Sequence, residues 1–126
     1  VQQVQALNHE APEQRFLTGF SFGGNGVFDL ALEQRNFWAA LWAVDPTRVP
    51  VEDPGRPVWL SYGEVSRPKK LSFIQCLHLE PLQSETPGER VYVDQGQDHV
   101  GTATFAYQDA RIYSWLLSNS LSSPRA

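Results

Sequence analysis

The run Arg15-Phe16-Leu17-Thr18-Gly19-Phe20-Ser21-Phe22-Gly23-Gly24-Asn25-Gly26 decides how the rest of this sequence is read. Arg15 to Gly19 is a compact apolar run of the kind that forms a buried strand, and Val27, Leu30 and Ala31 then share one helical face between Gly26 and Glu33. Between the two lies Gly19-Phe20-Ser21-Phe22-Gly23. A strand that turns sharply into a helix at a serine lifts the hydroxyl above the carboxyl edge of a sheet. That turn strains the backbone at the serine and admits only small residues two places before and after it. Gly19 and Gly23 meet this demand. The turn also aims backbone N–H groups at the helix start, where negative charge is stabilised. Ser21 is therefore the candidate nucleophile and the N–H of Phe22 the expected oxyanion donor.

Outward from this motif, apolar runs and helical patterns alternate. Phe37 to Val44 is apolar throughout, as is Pro57-Val58-Trp59-Leu60-Ser61-Tyr62 up to Gly63, which suits strands covered on both faces. Arg90 to Asp94 is a fourth predicted strand. Pro68 opens a predicted helix through Leu71, Phe73, Ile74, Leu77 and His78, and Ile112, Trp115, Leu116 and Leu117 mark a last one over Ala110 to Leu121. Val1, Val4, Ala6 and Leu7 predict a short amphipathic helix before the first strand, ended by Ala11-Pro12-Glu13-Gln14. The segment from Pro46 to Pro57 reads as loop and Thr86-Pro87-Gly88 as a turn. The alternation predicts a single α/β domain over residues 1–126: a mostly parallel sheet with helices on both faces.

Composition narrows the function classes. The chain has 126 residues, 41% hydrophobic and 19% charged, which is enough for one packed core. Its formal net charge of −4, with Lys69-Lys70 the only basic doublet, argues against nucleic acid as a partner. No apolar run approaches the ~20 residues of a membrane span, and Val1-Gln2-Gln3-Val4 lacks the pattern of a signal peptide. Cys76 is the sole cysteine, so neither an internal disulfide nor a cysteine metal site is expected. Its neighbours Phe73, Ile74 and Leu77 suggest a buried, inert thiol.

A serine nucleophile needs a base. His9 lies before the nucleophile in the first predicted helix and His78 inside a later one, where surface roles suffice. His99 follows the Arg90–Asp94 strand within Asp94-Gln95-Gly96-Gln97-Asp98-His99, read as a loop before the last helix. An imidazole there can take the serine proton and return it to a leaving group, although a solvated loop histidine fits the same pattern.

Four blocks in order now carry a resemblance. They are Leu17 to Gly26, Phe37-Trp38-Ala39-Ala40-Leu41, Pro57 to Gly63, and Asp98-His99 with Tyr107-Gln108-Asp109 and Ile112-Tyr113-Ser114-Trp115-Leu116-Leu117. Together they resemble the C-terminal half of an α/β-hydrolase of the esterase/phospholipase-carboxylesterase and dienelactone-hydrolase type. The resemblance implies a serine hydrolase that cleaves a small-molecule carboxylic ester through an acyl-enzyme, with Ser21 attacking, His99 shuttling the proton and Phe22 N–H holding the oxyanion. It implies no metal and no organic cofactor.

Two departures from the family pattern set further expectations. The family's acid usually stands three residues after the glycine ending the third strand, and Ser66 occupies that position. Asp45 at the end of the neighbouring strand is preferred as the acid, Glu64 is the other candidate, and a dyad without an acid stays open. A turn-initiating role before Pro46 would equally explain Asp45, and a solvated loop charge would explain Glu64. The family's N-terminal half is also absent, which leaves the Ser21 strand at an exposed, apolar edge. Such an edge invites cover, by a homo-oligomer or by a missing N-terminal half if the chain is a fragment. The rival reading is a hydrolase-derived, inactive domain that acts in binding or assembly.

Overall fold

A computed structural model describes residues 4–7, 15–34, 37–82 and 88–119. The chain forms β1 (Val4–Leu7), β2 (Phe16–Phe20), α1 (Phe22–Glu33), β3 (Ala40–Val44) and β4 (Val58–Tyr62). A 3-10 turn (Arg67–Lys69) leads into α2 (Lys70–Leu77), followed by β5 (Glu80–Pro81), β6 (Arg90–Asp94), α3 (His99–Tyr107) and α4 (Ala110–Ser118). The strands make one sheet in the order β1-β2-β3-β4-β6-β5, parallel except for β1.

The sheet is covered on both faces, as its central strands require. Every residue of β3 and β4 is buried, so these strands read as continuous apolar runs instead of alternating ones. Side chains nonetheless alternate across the sheet. Leu17, Leu41, Ala43, Val58 and Leu60 pack with Val27, Phe28 and Ala31 of α1 and Phe73 and Leu77 of α2. Phe16, Ala40, Trp42, Val44, Trp59 and Val91 face the other way, onto Ala106 of α3 and Ile112, Trp115 and Leu116 of α4. Indoles dominate that second layer. Trp59 and Trp115 meet edge-to-face at 5.5 Å between centroids, and Trp42 lies 4.7 Å from the Tyr107 ring.

Register is what places the functional edge. Phe20 pairs with Val44, Val44 with Ser61, and Tyr62 with Asp94. The ladder continues one residue beyond the strands, where Ser21 N–H donates to Val44 O at 2.9 Å and Asp45 N–H to Ser61 O at 2.6 Å. Ser21, Asp45 and Gly63 therefore follow the carboxyl ends of three adjacent parallel strands, the edge at which open α/β sheets bind ligands.

Several expectations are corrected. Val4–Leu7 is a strand antiparallel to β2, with Val4 opposite Gly19 and Leu7 opposite Phe16, and not part of a helix. The spacing of Val4, Ala6 and Leu7 is compatible with either period, and the unpaired N–H and C=O groups of β2 favour the strand. The Ser21 strand is consequently not an edge. The first α-helix begins at Phe22, earlier than Gly26. His78 is the left-handed cap after α2, not an interior residue. β5 and α3 are additional to the elements the sequence predicts. Residues 1–3, 8–14, 35–36, 83–87 and 120–126 lie outside the described residues, and with them His9, Thr86-Pro87 and the end of the last predicted helix. Among the described residues no helix is long and apolar enough to cross a membrane.

Loops are fastened to this frame by ion pairs. Arg90 holds Asp53 at 2.7 and 2.9 Å and donates to Leu77 O at 2.5 Å, tying the Pro46–Pro57 loop to the end of α2. Arg67 grips Asp94 and Arg111 grips Asp109. The Arg67 hydrogen bonds hold Asp94 below the ordinary carboxylate value of 3.8, and Arg111 does the same for Asp109. Burial pushes Asp53 up, but its bonds to Arg90 and to the Gly55 N–H outweigh this and its pKa is also lowered. A carboxylate depressed in the fold contributes stability that is complete above its unfolded value and is lost as pH falls through the folded one. The melting temperature is therefore expected to hold above about pH 5 and to fall progressively below about pH 4. Calorimetry of Asp94→Asn should show a shallower acid limb than the parent; identical limbs would remove this pair from the explanation.

Candidate functional site

Ser21 sits between β2 and α1 with φ 60° and ψ −117°. A positive φ is uncommon for a residue with a Cβ and costs of order 1–3 kcal/mol, so the surrounding structure must impose it. The Ser21 N–H bond to Val44 O holds one side of the turn. The Asn25 N–H, which donates to Ser21 O at 3.2 Å, holds the other. Close approach also favours glycine at position 24. A Cβ there would lie 3.1 Å from Pro46 Cβ and 3.3 Å from Val44 O, tight enough that α1 and the turn after β3 would have to part by a few tenths of an ångström.

The second strained residue is Asp45, with φ 45°. It follows β3 and is 0% exposed. Its carboxylate is satisfied on both oxygens: Oδ1 accepts from Gly63 N–H at 3.3 Å, and Oδ2 meets His99 Nδ1 at 2.5 Å. A carboxylate only accepts, so Nδ1 donates to it, and in the neutral imidazole Nε2 then presents a lone pair. His99 Nε2 lies 2.8 Å from Ser21 Oγ. Asp45, His99 and Ser21 thus form one continuous hydrogen-bonded line, ending in a hydroxyl whose proton has an acceptor.

His99 reaches this place as the first residue of α3, not from a loop. Asp98 caps that helix, its Oδ1 accepting from Gly101 N–H at 2.7 Å, while Thr102 N–H donates to Asp98 O at 2.9 Å. The Phe20 ring packs on the imidazole with centroids 4.6 Å apart. The imidazole keeps 32% of its side-chain surface exposed, so a substrate can reach it from solvent.

The Phe22 side chain points outward at 77% exposure, leaving its N–H as the residue's contribution at the start of α1. The first N–H groups of a helix lack intrahelical acceptors, and this one adjoins Ser21. Glu64 is not brought to the imidazole. It is exposed, its N–H donates to Gln97 O at 2.7 Å, and its charge acts on Arg67. Ser66 is buried but faces elsewhere, donating through Oγ to Pro46 O at 2.9 Å. Cys76 is partly buried beside Pro50 O, and burial pushes its thiol pKa up. His78 is exposed near Asp53. Among the described residues, no group of three His, Cys, Asp or Glu side chains is placed to hold a metal.

Two contributors escaped the sequence reading. Gly63 lies so close to α3 that a Cβ would fall 1.9 Å from Thr102 Oγ1 and 2.4 Å from Gln97 O. Asn25 bridges α1 to the turn after Asp45. The Gly63 contact has a testable consequence, since Gln97 and Thr102 flank His99. Gly63→Ala is expected to cost about 1–3 kcal/mol in urea unfolding through overpacking. It should also remove the downfield imidazole N–H proton expected in the proton NMR spectrum from the Asp45–His99 bond. A variant with unchanged stability and an unchanged spectrum would contradict the close approach.

Comparison with protein-family models, with curated proteins and with solved structures finds no match for this chain, so its functional reading rests on the residues and geometry just described.

Proposed function

We propose that this protein is a serine hydrolase that cleaves a carboxylic ester through an acyl-enzyme, with Ser21 as nucleophile, His99 as general base and Asp45 as the orienting acid. The observation that carries this reading is the line from Asp45 Oδ2 through His99 to Ser21 Oγ, at 2.5 and 2.8 Å. It combines three features that a chance cluster rarely shares: a strained serine at a helix start, a base in hydrogen-bond reach, and a buried carboxylate fixing the base's tautomer.

In this mechanism Ser21 Oγ attacks the ester carbonyl while His99 Nε2 accepts its proton. The developing imidazolium is stabilised by Asp45, and the carbonyl oxygen, now negative, accepts from the Phe22 N–H. Such a donor is worth about 3 kcal/mol of transition-state stabilisation. Collapse of the tetrahedral intermediate breaks the ester C–O bond, and His99 returns the proton to the departing alkoxide. Water, deprotonated by the same imidazole, then releases the acid and regenerates Ser21. The chemistry suits a small-molecule ester, and a thioester or an activated amide would pass through the same steps.

An alkyl fluorophosphonate is expected to label Ser21, with hydrolysis of p-nitrophenyl acetate abolished by Ser21→Ala. Asp45→Asn should lower turnover by roughly 10,000-fold through loss of the required tautomer. Glu64→Gln should stay within about twofold of the parent, as an exposed substitution outside the line. Folded protein that neither takes the label nor turns over the ester would sink the proposal. If that protein were also oligomeric by light scattering, it would favour an inactive binding or assembly domain.

A further inference from the structure

A single buried side chain joins the turn that carries the nucleophile to the turn that carries the acid. Asn25 lies in α1 with its N–H on Ser21 O. Its Oδ1 accepts from two successive backbone groups, Thr47 N–H at 2.9 Å and Arg48 N–H at 3.0 Å, and its Nδ2 donates to Thr47 Oγ1 at 2.9 Å. We propose that Asn25 is a positioning residue for the reaction, holding the Asp45 carboxylate in line with His99 and Ser21 by tying Thr47 and Arg48 to the helix that begins beside Ser21. This rests on the hydrolase reading above.

The argument begins with what the turn needs. After Asp45, with its left-handed backbone, and Pro46, which has no N–H, the next two N–H groups point into a partly buried region. An amide oxygen has two lone pairs for them, and the amide nitrogen can serve the threonine hydroxyl. Serine would be too short to reach both N–H groups, and a carboxylate would add a buried charge. Other contacts to this turn come from a different direction. Ser66 Oγ donates to Pro46 O at 2.9 Å, and Lys69 Nζ donates to Thr47 O, both from the segment after β4. Arg48 also pairs with Asp29 of α1, but that pair is about half exposed on both sides and contributes little. With Asn25 removed, the turn keeps its ties to the Ser66 segment and loses its hydrogen bonds to α1 apart from the exposed Arg48–Asp29 pair. Displacement of a positioning group by ~1 Å can cost about 100-fold in rate.

The test is a double-mutant cycle on p-nitrophenyl acetate hydrolysis, with the folded fraction of every variant measured by circular dichroism at the assay temperature. Asn25→Ala is expected to lower kcat by about 10- to 100-fold while KM stays within about twofold. In the Asp45→Asn background the same change should cost less than about threefold, because its route to the reaction is already cut. Asn25→Asp keeps both acceptor bonds but adds a buried charge, so it should recover only part of the lost kcat, more than Asn25→Ser, which is too short to reach both N–H groups. Should Asn25→Ala fail to fold, Asn25→Ser serves in the same cycle. Equal losses in both backgrounds, or a folded Asn25→Ala with parental kcat, would overturn the positioning role while leaving the hydrolase reading intact. A parent protein whose Ser21 takes no fluorophosphonate label overturns both.

Discussion

The whole arrangement depends on the parallel ladder running one residue past the ends of its strands. Ser21 N–H on Val44 O and Asp45 N–H on Ser61 O extend pairing into the first residue of each following turn. That residue is held by the sheet while the chain beyond it must leave in a new direction. The conflict is absorbed in φ, and both Ser21 and Asp45 take positive values. Backbone strain here is local and specific, of the kind that persists only where neighbouring hydrogen bonds enforce it. Its effect is to throw two polar side chains off the same edge of the sheet, close enough for one imidazole to touch both.

Burying a carboxylate completely is costly unless its oxygens are occupied. Asp45 meets this condition with one backbone and one side-chain donor, and the same two bonds give it direction. The Gly63 N–H fixes Oδ1 from the adjacent strand, so Oδ2 is aimed where α3 brings His99. α3 in turn can approach only because residue 63 has no Cβ. Each constraint is short-ranged and together they close a ring: β3 to β4 through Asp45 and Gly63, β4 to α3 through Gly63, and α3 back to Asp45 through His99.

The elements that were legible in the sequence are those whose signal is local or whose burial is complete. The turn at Ser21 is read from five consecutive residues because its sterics act within those residues. β3 and β4 are read from unbroken apolar runs because both faces of the sheet are covered. By contrast, α3 is almost invisible. His99-Val100-Gly101-Thr102-Ala103-Thr104-Phe105-Ala106-Tyr107 has two threonines, a glycine and no clear amphipathic stripe, and only the Asp98 cap announces it. β1 is ambiguous because four residues with Val4, Ala6 and Leu7 fit either period, and the choice between them belongs to the unpaired edge of β2.

The candidate site divides in the same way. The sequence by itself determined a serine at a strand-to-helix turn, a downstream histidine and two carboxylates within reach of strand ends, because residue type and local order suffice for that much. It preferred Asp45 to Glu64 but left both open, and it assigned no task in the site to Asn25, Gly63 or Ser66. Those choices depend on strand register and on which backbone groups are left unpaired after the chain turns, and both are properties of residues distant in sequence. Only the tertiary structure decided that Asp45 meets the imidazole, that Glu64 stays in solvent, and that Ser66 and Asn25 hold the turn between them.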